Sequence, residues 1–125
     1  MPDISGKPRV LIVDDECVIA DTLALILSKN GYAVSVAYSG EDAVRLAEIK
    51  PPDILITDVV MGGMNGIEAA IEVCQRVPKC RTILISGQAG TNELLRQVRT
   101  RGYEFEVLLK PVHPQSLLER LKSEP

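Results

Sequence analysis

The chain has 125 residues, 46 % of them apolar, and a formal net charge of −3. That length suits one domain with a core of its own, and the acidic balance leaves no footprint for nucleic acid and no pull toward an anionic membrane. Apolar runs are short, as in Val10 to Val13, so none spans a bilayer, and Met1-Pro2-Asp3 does not open a signal peptide.

Met1–Lys7 reads as a loose lead-in. The β-branched run Arg9–Val13 predicts the first strand. The amphipathic stretch Glu16–Lys29 predicts the first helix, stopped by Asn30-Gly31. Ala33–Ala37 alternates, which suits an edge strand. Ser39, three residues ahead of Asp42, reads as the cap of a helix over Glu41–Ile49, and Pro51-Pro52 end it. A strand over Asp53–Thr57 precedes a helix over Gly66–Arg76, closed by Pro78. A strand over Thr82–Ser86 precedes a helix over Asn92–Arg101, closed by Gly102. Val107–Leu109 forms the last strand and Gln115–Lys122 the last helix, with Leu117, Leu118 and Leu121 on one stripe. The first, third and fourth strands are apolar throughout, as central strands covered on both faces are. Alternating strands and helices predict an α/β fold with a doubly wound parallel sheet.

Charged and hydroxylic residues gather where strands stop. Asp14 and Asp15 follow Val13, Asp58 follows Thr57, Ser86 ends the fourth strand, and Lys110 follows the fifth. In an open parallel sheet the carboxyl ends of the strands line one edge, and ligands bind there at the point where the winding reverses. With a strand order of 2-1-3-4-5 the three carboxylates converge. Two unit charges about 4 Å apart repel by about 4 kcal/mol at an effective dielectric near 20. Such a cluster takes up a hard cation or keeps a proton. Oxygen-only ligands select Mg²⁺, Mn²⁺ or Ca²⁺, and a shallow edge site suits Mg²⁺, which keeps several waters. Lys110 and Ser86 then supply a point charge and a hydroxyl for phosphoryl oxygens. The set fits phosphoryl transfer, where catalysis is mostly positioning and charge neutralisation. Capping, turn and solvated-charge roles explain each residue singly, but not five of them at strand ends in one alternating chain.

These residues resemble the receiver domains of two-component response regulators. The resemblance lies in Val10–Glu16, Asp53–Met61, Met64-Asn65-Gly66, Ile83–Gly87 and Leu108–Pro111, and it extends over about Arg9 to Leu121. It implies a flavodoxin-like (βα)5 fold of order 2-1-3-4-5, filling residues 1–125 as one receiver domain. Asp58 matches the residue phosphorylated by a histidine kinase or phosphotransfer protein. Asp15 matches a direct Mg²⁺ ligand and Asp14 one acting through water, with the Val60 backbone carbonyl as a further ligand and Mn²⁺ as a substitute ion. Ser86 matches the switching hydroxyl and Lys110 the lysine paired with the phosphoryl group, joined to Pro111 by a bond that is cis in most relatives. Gly87, Gln88 and Val107 fall in the switching region. The family implies a phosphoacceptor with slow self-dephosphorylation and no separate substrate turnover. It also implies a cytoplasmic location and an output through the face of the fourth helix, fifth strand and fifth helix, to a downstream protein, a fused domain or a phosphorylation-dependent dimer.

Departures from the family pattern give further expectations. Gly62 stands where relatives usually carry proline, so the loop after Asp58 should be more mobile. Val107 stands where many carry Tyr or Phe, so no aromatic ring swings with the switch. Val60 is apolar and does not orient water, which should lengthen the life of the acyl phosphate. His113 reads as a loop residue, and Cys17, Cys74 and Cys80, with no C-x-x-C pair, as reduced thiols. No output domain is read from the chain, so it is expected to be a stand-alone receiver or a piece of a larger regulator or hybrid kinase. Rival readings are a Mg²⁺-dependent phosphatase, which needs an Asp-x-Asp motif, and a receiver-like module that binds without phosphorylation. A dinucleotide-binding domain lacks its G-x-G-x-x-G.

Overall fold

The computed structural model describes residues 6–87 and 91–123. Five strands alternate with five helices: β1 (Arg9–Val13), α1 (Cys17–Lys29), β2 (Ala33–Ala37), α2 (Gly40–Ile49), β3 (Ile54–Asp58), α3 (Gly66–Arg76), β4 (Arg81–Ser86), α4 (Thr91–Thr100), β5 (Glu106–Leu109) and α5 (Pro114–Lys122). The strands are all parallel, in the order β2-β1-β3-β4-β5. The doubly wound order needed to gather the carboxylates is therefore present.

Alternate residues of the central strands feed two cores. Leu11, Val13, Leu55 and Leu84 face α2, α3 and α4, meeting Ala43, Ala47, Ile67, Ala70, Ile71 and Val98. Val10, Ile12, Ile54, Ile56, Ile83 and Ile85 face α1 and α5, meeting Ala20, Leu23, Leu27, Leu117, Leu118 and Leu121. A strand that packs on both sides has no polar face, hence the unbroken apolar runs. β2 and β5 form the two edges, and their residues are mostly half-buried.

Local chemistry fixes the element ends. The Ser39 hydroxyl accepts from the Asp42 N–H at 3.1 Å and opens α2. Asn65 opens α3 reciprocally: its Oδ1 accepts from the Glu68 N–H at 2.9 Å, and its Nδ2 donates to Glu68 Oε1 at 3.0 Å. α5 begins one residue earlier than its apolar stripe suggests, because Pro114 occupies the first helical position, where a missing N–H costs nothing. β3 is displaced by one residue toward Asp58, and the Asp53 carboxylate instead accepts from the Arg9 N–H at 2.8 Å.

Arg81 ties the far rim together. Its guanidinium makes a bidentate pair with Glu106, at 2.6 Å and 2.8 Å. It also donates to the carbonyls of Arg120 at 3.0 Å and Ser123 at 2.8 Å, at the end of α5. Cys17 is exposed, Cys74 half-buried and Cys80 buried, all three as free thiols. Burial pushes the Cys80 thiol up to about 12. Among the described residues, no helix is long and apolar enough to cross a membrane.

Candidate functional site

The sheet delivers its site residues by register. Val13 pairs with Thr57, and Asp58 pairs with Ile85, so β1, β3 and β4 end almost level. Chain continuation then places Asp14 and Asp15 beside Asp58. Each of these carboxylates offers an oxygen, and the three oxygens lie within 4.8 Å of one another. Asp14 and Asp58 are buried, each 4 % exposed, whereas Asp15 is exposed. This is the convergence expected from the strand ends.

Each acid is tied differently. Asp14 Oδ1 accepts from the Glu16 N–H at 2.9 Å, ahead of α1, so it also satisfies the helix entrance. Asp15 Oδ2 accepts from the Gly62 N–H at 3.1 Å. Asp58 Oδ2 accepts from Lys110 Nζ at 3.0 Å. Burial pushes the Asp14 carboxyl above its ordinary range, the bond from Glu16 pulls it back, and the charge of Asp58 raises it again. Burial alone would lower the Lys110 ammonium, but its hydrogen bond to Asp58 and the charges of Asp58 and Asp14 outweigh that and raise it. Both shifts follow from anions crowded into a partly dry cup.

Lys110 lies just beyond β5, and its N–H donates to the Ser86 carbonyl at 2.9 Å. Its stem runs beside Gly87, with Lys110 Cβ and Cδ each 3.5 Å from where a Cβ on Gly87 would project. The Lys110-Pro111 peptide bond is cis. Ser86 ends β4 and is 1 % exposed. Val60 is half exposed on the loop that follows Asp58. Val107 is half-buried on the α4 side of the sheet, together with Tyr103 and Phe105, whose ring centroids are 5.9 Å apart. His113 is an exposed residue just ahead of α5. Gln88 lies outside the described residues.

Two parts of the site answer to structural demands that the sequence does not explain. Gly66 is one: a Cβ there would fall 1.8 Å from the Asp58 carbonyl oxygen, so only glycine lets α3 start against the end of β3. The other is the loop between Asp58 and α3. The Gly66 N–H donates to the Val59 carbonyl at 2.9 Å, and the Val59 N–H donates to the Ile85 carbonyl at 3.0 Å. Met64 packs on Gly40, and the Glu41 carboxylate lies along Gly63. Gly62 and Gly63, the glycine pair of this loop, lie between these contacts.

Beside the cup runs an apolar groove of about 580 Å³, lined by Val18, Ile19, Thr22, Leu23, Pro111 and Pro114 and reaching Asp14 and Lys110. Val18 is 79 % exposed.

Comparison with known proteins agrees with this geometry. Residues 10–122 match the family model of the response regulator receiver domain. A CheY-like receiver domain protein from Methanospirillum hungatei is 28 % identical and superposes with a TM-score of 0.83, covering 93 % of this chain and 91 % of that one. The chemotaxis protein CheY4 of Vibrio cholerae is 26 % identical with a TM-score of 0.82, covering 93 % of this chain and 97 % of that one. A response regulator from Burkholderia pseudomallei, solved with a phosphorylated aspartic acid, a calcium ion and citrate, is 27 % identical with a TM-score of 0.81, covering 94 % of this chain and 68 % of that one. The chain belongs to the response-regulator receiver domains of two-component systems.

Proposed function

We propose that Asp58 accepts a phosphoryl group from a phosphohistidine on a histidine kinase or phosphotransfer protein. An Asp58 oxygen attacks phosphorus, the N–P bond breaks, and the leaving imidazole nitrogen takes a proton. Lys110, 3.0 Å from Asp58 Oδ2, holds the carboxylate in place and offsets charge on the phosphoryl oxygens. Ser86 offers its hydroxyl at the end of the neighbouring strand.

The three carboxylates suit a hard divalent cation, because their donor atoms are oxygens only and lie within 4.8 Å of one another. Asp14, Asp15 and Asp58 would hold Mg²⁺, with the Val60 carbonyl as a further ligand and Mn²⁺ as a substitute. When bound, the ion neutralises negative charge on the acids and on the incoming phosphate. The B. pseudomallei relative, with its phosphoaspartate and calcium ion, supports this assignment by analogy.

A phosphoryl group adds about −1.5 to −2 charge, by analogy with phosphoserine. The chain answers with a shift between two packed states, read at the face of α4, β5 and α5 by a downstream protein, a fused output domain or a second receiver. The chain acts as a self-dephosphorylating acceptor, not as an enzyme with a separate substrate. Val60, an apolar residue, stands two positions after Asp58, where an Asp-x-Asp phosphatase would need its second acid. Three free thiols suit a reducing cytoplasmic setting.

The convergence of Asp14, Asp15 and Asp58 beside Lys110 carries this reading. Incubation with a small phosphodonor and Mg²⁺ should add one acid-stable, hydroxylamine-labile phosphoryl group, seen by intact-mass spectrometry. Asp58→Asn should abolish it. Equal labelling of that variant would place the acceptor elsewhere.

A further inference from the structure

We propose that the Gly62 backbone amide is a positioning group for the cation site, holding the Asp15 carboxylate in the orientation that a divalent ion requires. This rests on the reading of Asp14, Asp15 and Asp58 as metal ligands.

Asp15 is the exposed member of the three acids. Its buried neighbours are confined by their surroundings, but an exposed side chain is free to change rotamer. Repulsion from Asp14 and Asp58 favours a rotamer that swings it out into water. The Gly62 N–H opposes that swing by donating to Asp15 Oδ2 at 3.1 Å, from a loop 47 residues away in the chain. The bond has an ionised acceptor, which makes it about twice as strong as a neutral one.

The donor is itself held. Gly63 adopts φ +75, turning the loop directly after Gly62. The Glu41 carboxylate lies 3.1 Å from the point where a Cβ on Gly63 would project, and Met64 lies as close to the corresponding point on Gly40. The first turn of α2 therefore backs the loop that carries the amide. Proline at position 62 has no N–H and cannot supply this bond. A chain with proline there must orient the same carboxylate by other means.

Position 62 separates the amide from the glycine. Its φ lies outside the left-handed region, and a Cβ there would meet only Asp15 Oδ2, at 4.0 Å. Gly62→Ala keeps the donor, whereas Gly62→Pro deletes it. Removing a group that orients a metal ligand costs about 10–100-fold in affinity.

The test is a Mg²⁺ titration of the full chain and both variants, followed by amide NMR and thermal unfolding. Gly62→Ala should bind within about two-fold of the wild type and Gly62→Pro about ten-fold or more weakly. Without metal, the Gly62 amide resonance should move when Asp15 is changed to Ala, a readout that needs no proline variant to fold. Wild-type affinity in Gly62→Pro, an equal loss in Gly62→Ala, or a Gly62 resonance indifferent to Asp15→Ala each overturns the positioning role. A wild-type chain that binds no Mg²⁺ overturns the metal reading itself, and the positioning role with it.

Discussion

Val60 lies in the loop after Asp58 with about half of its surface open to water. With Asp58 as the proposed phosphoacceptor, an isopropyl group two residues later offers no hydrogen bond to hold an attacking water. Val60→Asn supplies an amide that orients an attacking water, so phosphoryl loss should quicken on the order of ten-fold, short of the roughly 10²–10⁴-fold of a general base because an amide takes no proton. The decay of labelled protein measures it, and an unchanged half-life would remove Val60 from control of lifetime. At this scale the sequence disclosed the acids, the serine and the lysine, because charge at the end of an apolar run is conspicuous. It did not disclose the bonds from Gly62 to Asp15 or from Glu16 to Asp14, since a backbone N–H belongs to nearly every residue and has no letter of its own. The demand for glycine at position 66 was hidden for a related reason: it arises from a carbonyl eight residues earlier that comes close only after folding.

Arg81 joins three elements at their ends: the start of β4, Glu106 at the start of β5 and the last carbonyls of α5. Its side chain is 12 % exposed and that of Glu106 19 %, so neither is readily rehydrated in place. Arg81→Met should lower stability by about 2 kcal/mol, because it leaves the half-buried Glu106 carboxylate with only Arg120, at 3.6 Å, and takes a donor from the carbonyls of Arg120 and Ser123. Urea unfolding reads this directly, and a change below about 0.5 kcal/mol would mean that water replaces the guanidinium. A second expectation concerns α1. If the groove over Val18 and Ile19 seats the phosphohistidine donor protein, Val18→Asp should slow transfer from that donor on the order of ten-fold while small-phosphodonor labelling stays the same. Equal slowing with both donors would move the effect from docking to chemistry. Element types and most boundaries were legible, since turn residues and periodicity agree with each other along the chain. β3 slipped by one because Asp53 resembles a strand residue in pattern but serves as a hydrogen-bond acceptor for Arg9. α5 gained Pro114 because proline marks a helix start as readily as a loop.

For the molecule as a whole, the proposed cation site makes a prediction about stability, because only the folded state brings the three carboxylates together. Mg²⁺ at 100 times its dissociation constant should stabilise the fold by about 2.7 kcal/mol, a rise in Tm of about 10 °C for a chain of this size. A chelator should reverse the gain, and Asp14→Ala or Asp15→Ala should abolish it. A gain that survives both substitutions would point to binding elsewhere. Strand order was only partly legible. Apolar runs identify central strands, but they do not say which of β1, β3 and β4 are neighbours, so the order rested on family resemblance until the register was seen.

The placement of Arg81 has a practical outcome for anyone attaching a reporter. β4 runs from Arg81 to Ser86, so its six residues separate the anchored end of α5 from the carboxylate edge by about 17 Å. A dye or fluorescent tag grafted behind α5 would hang from the opposite rim of the sheet, leaving the approach to Asp58 unobstructed.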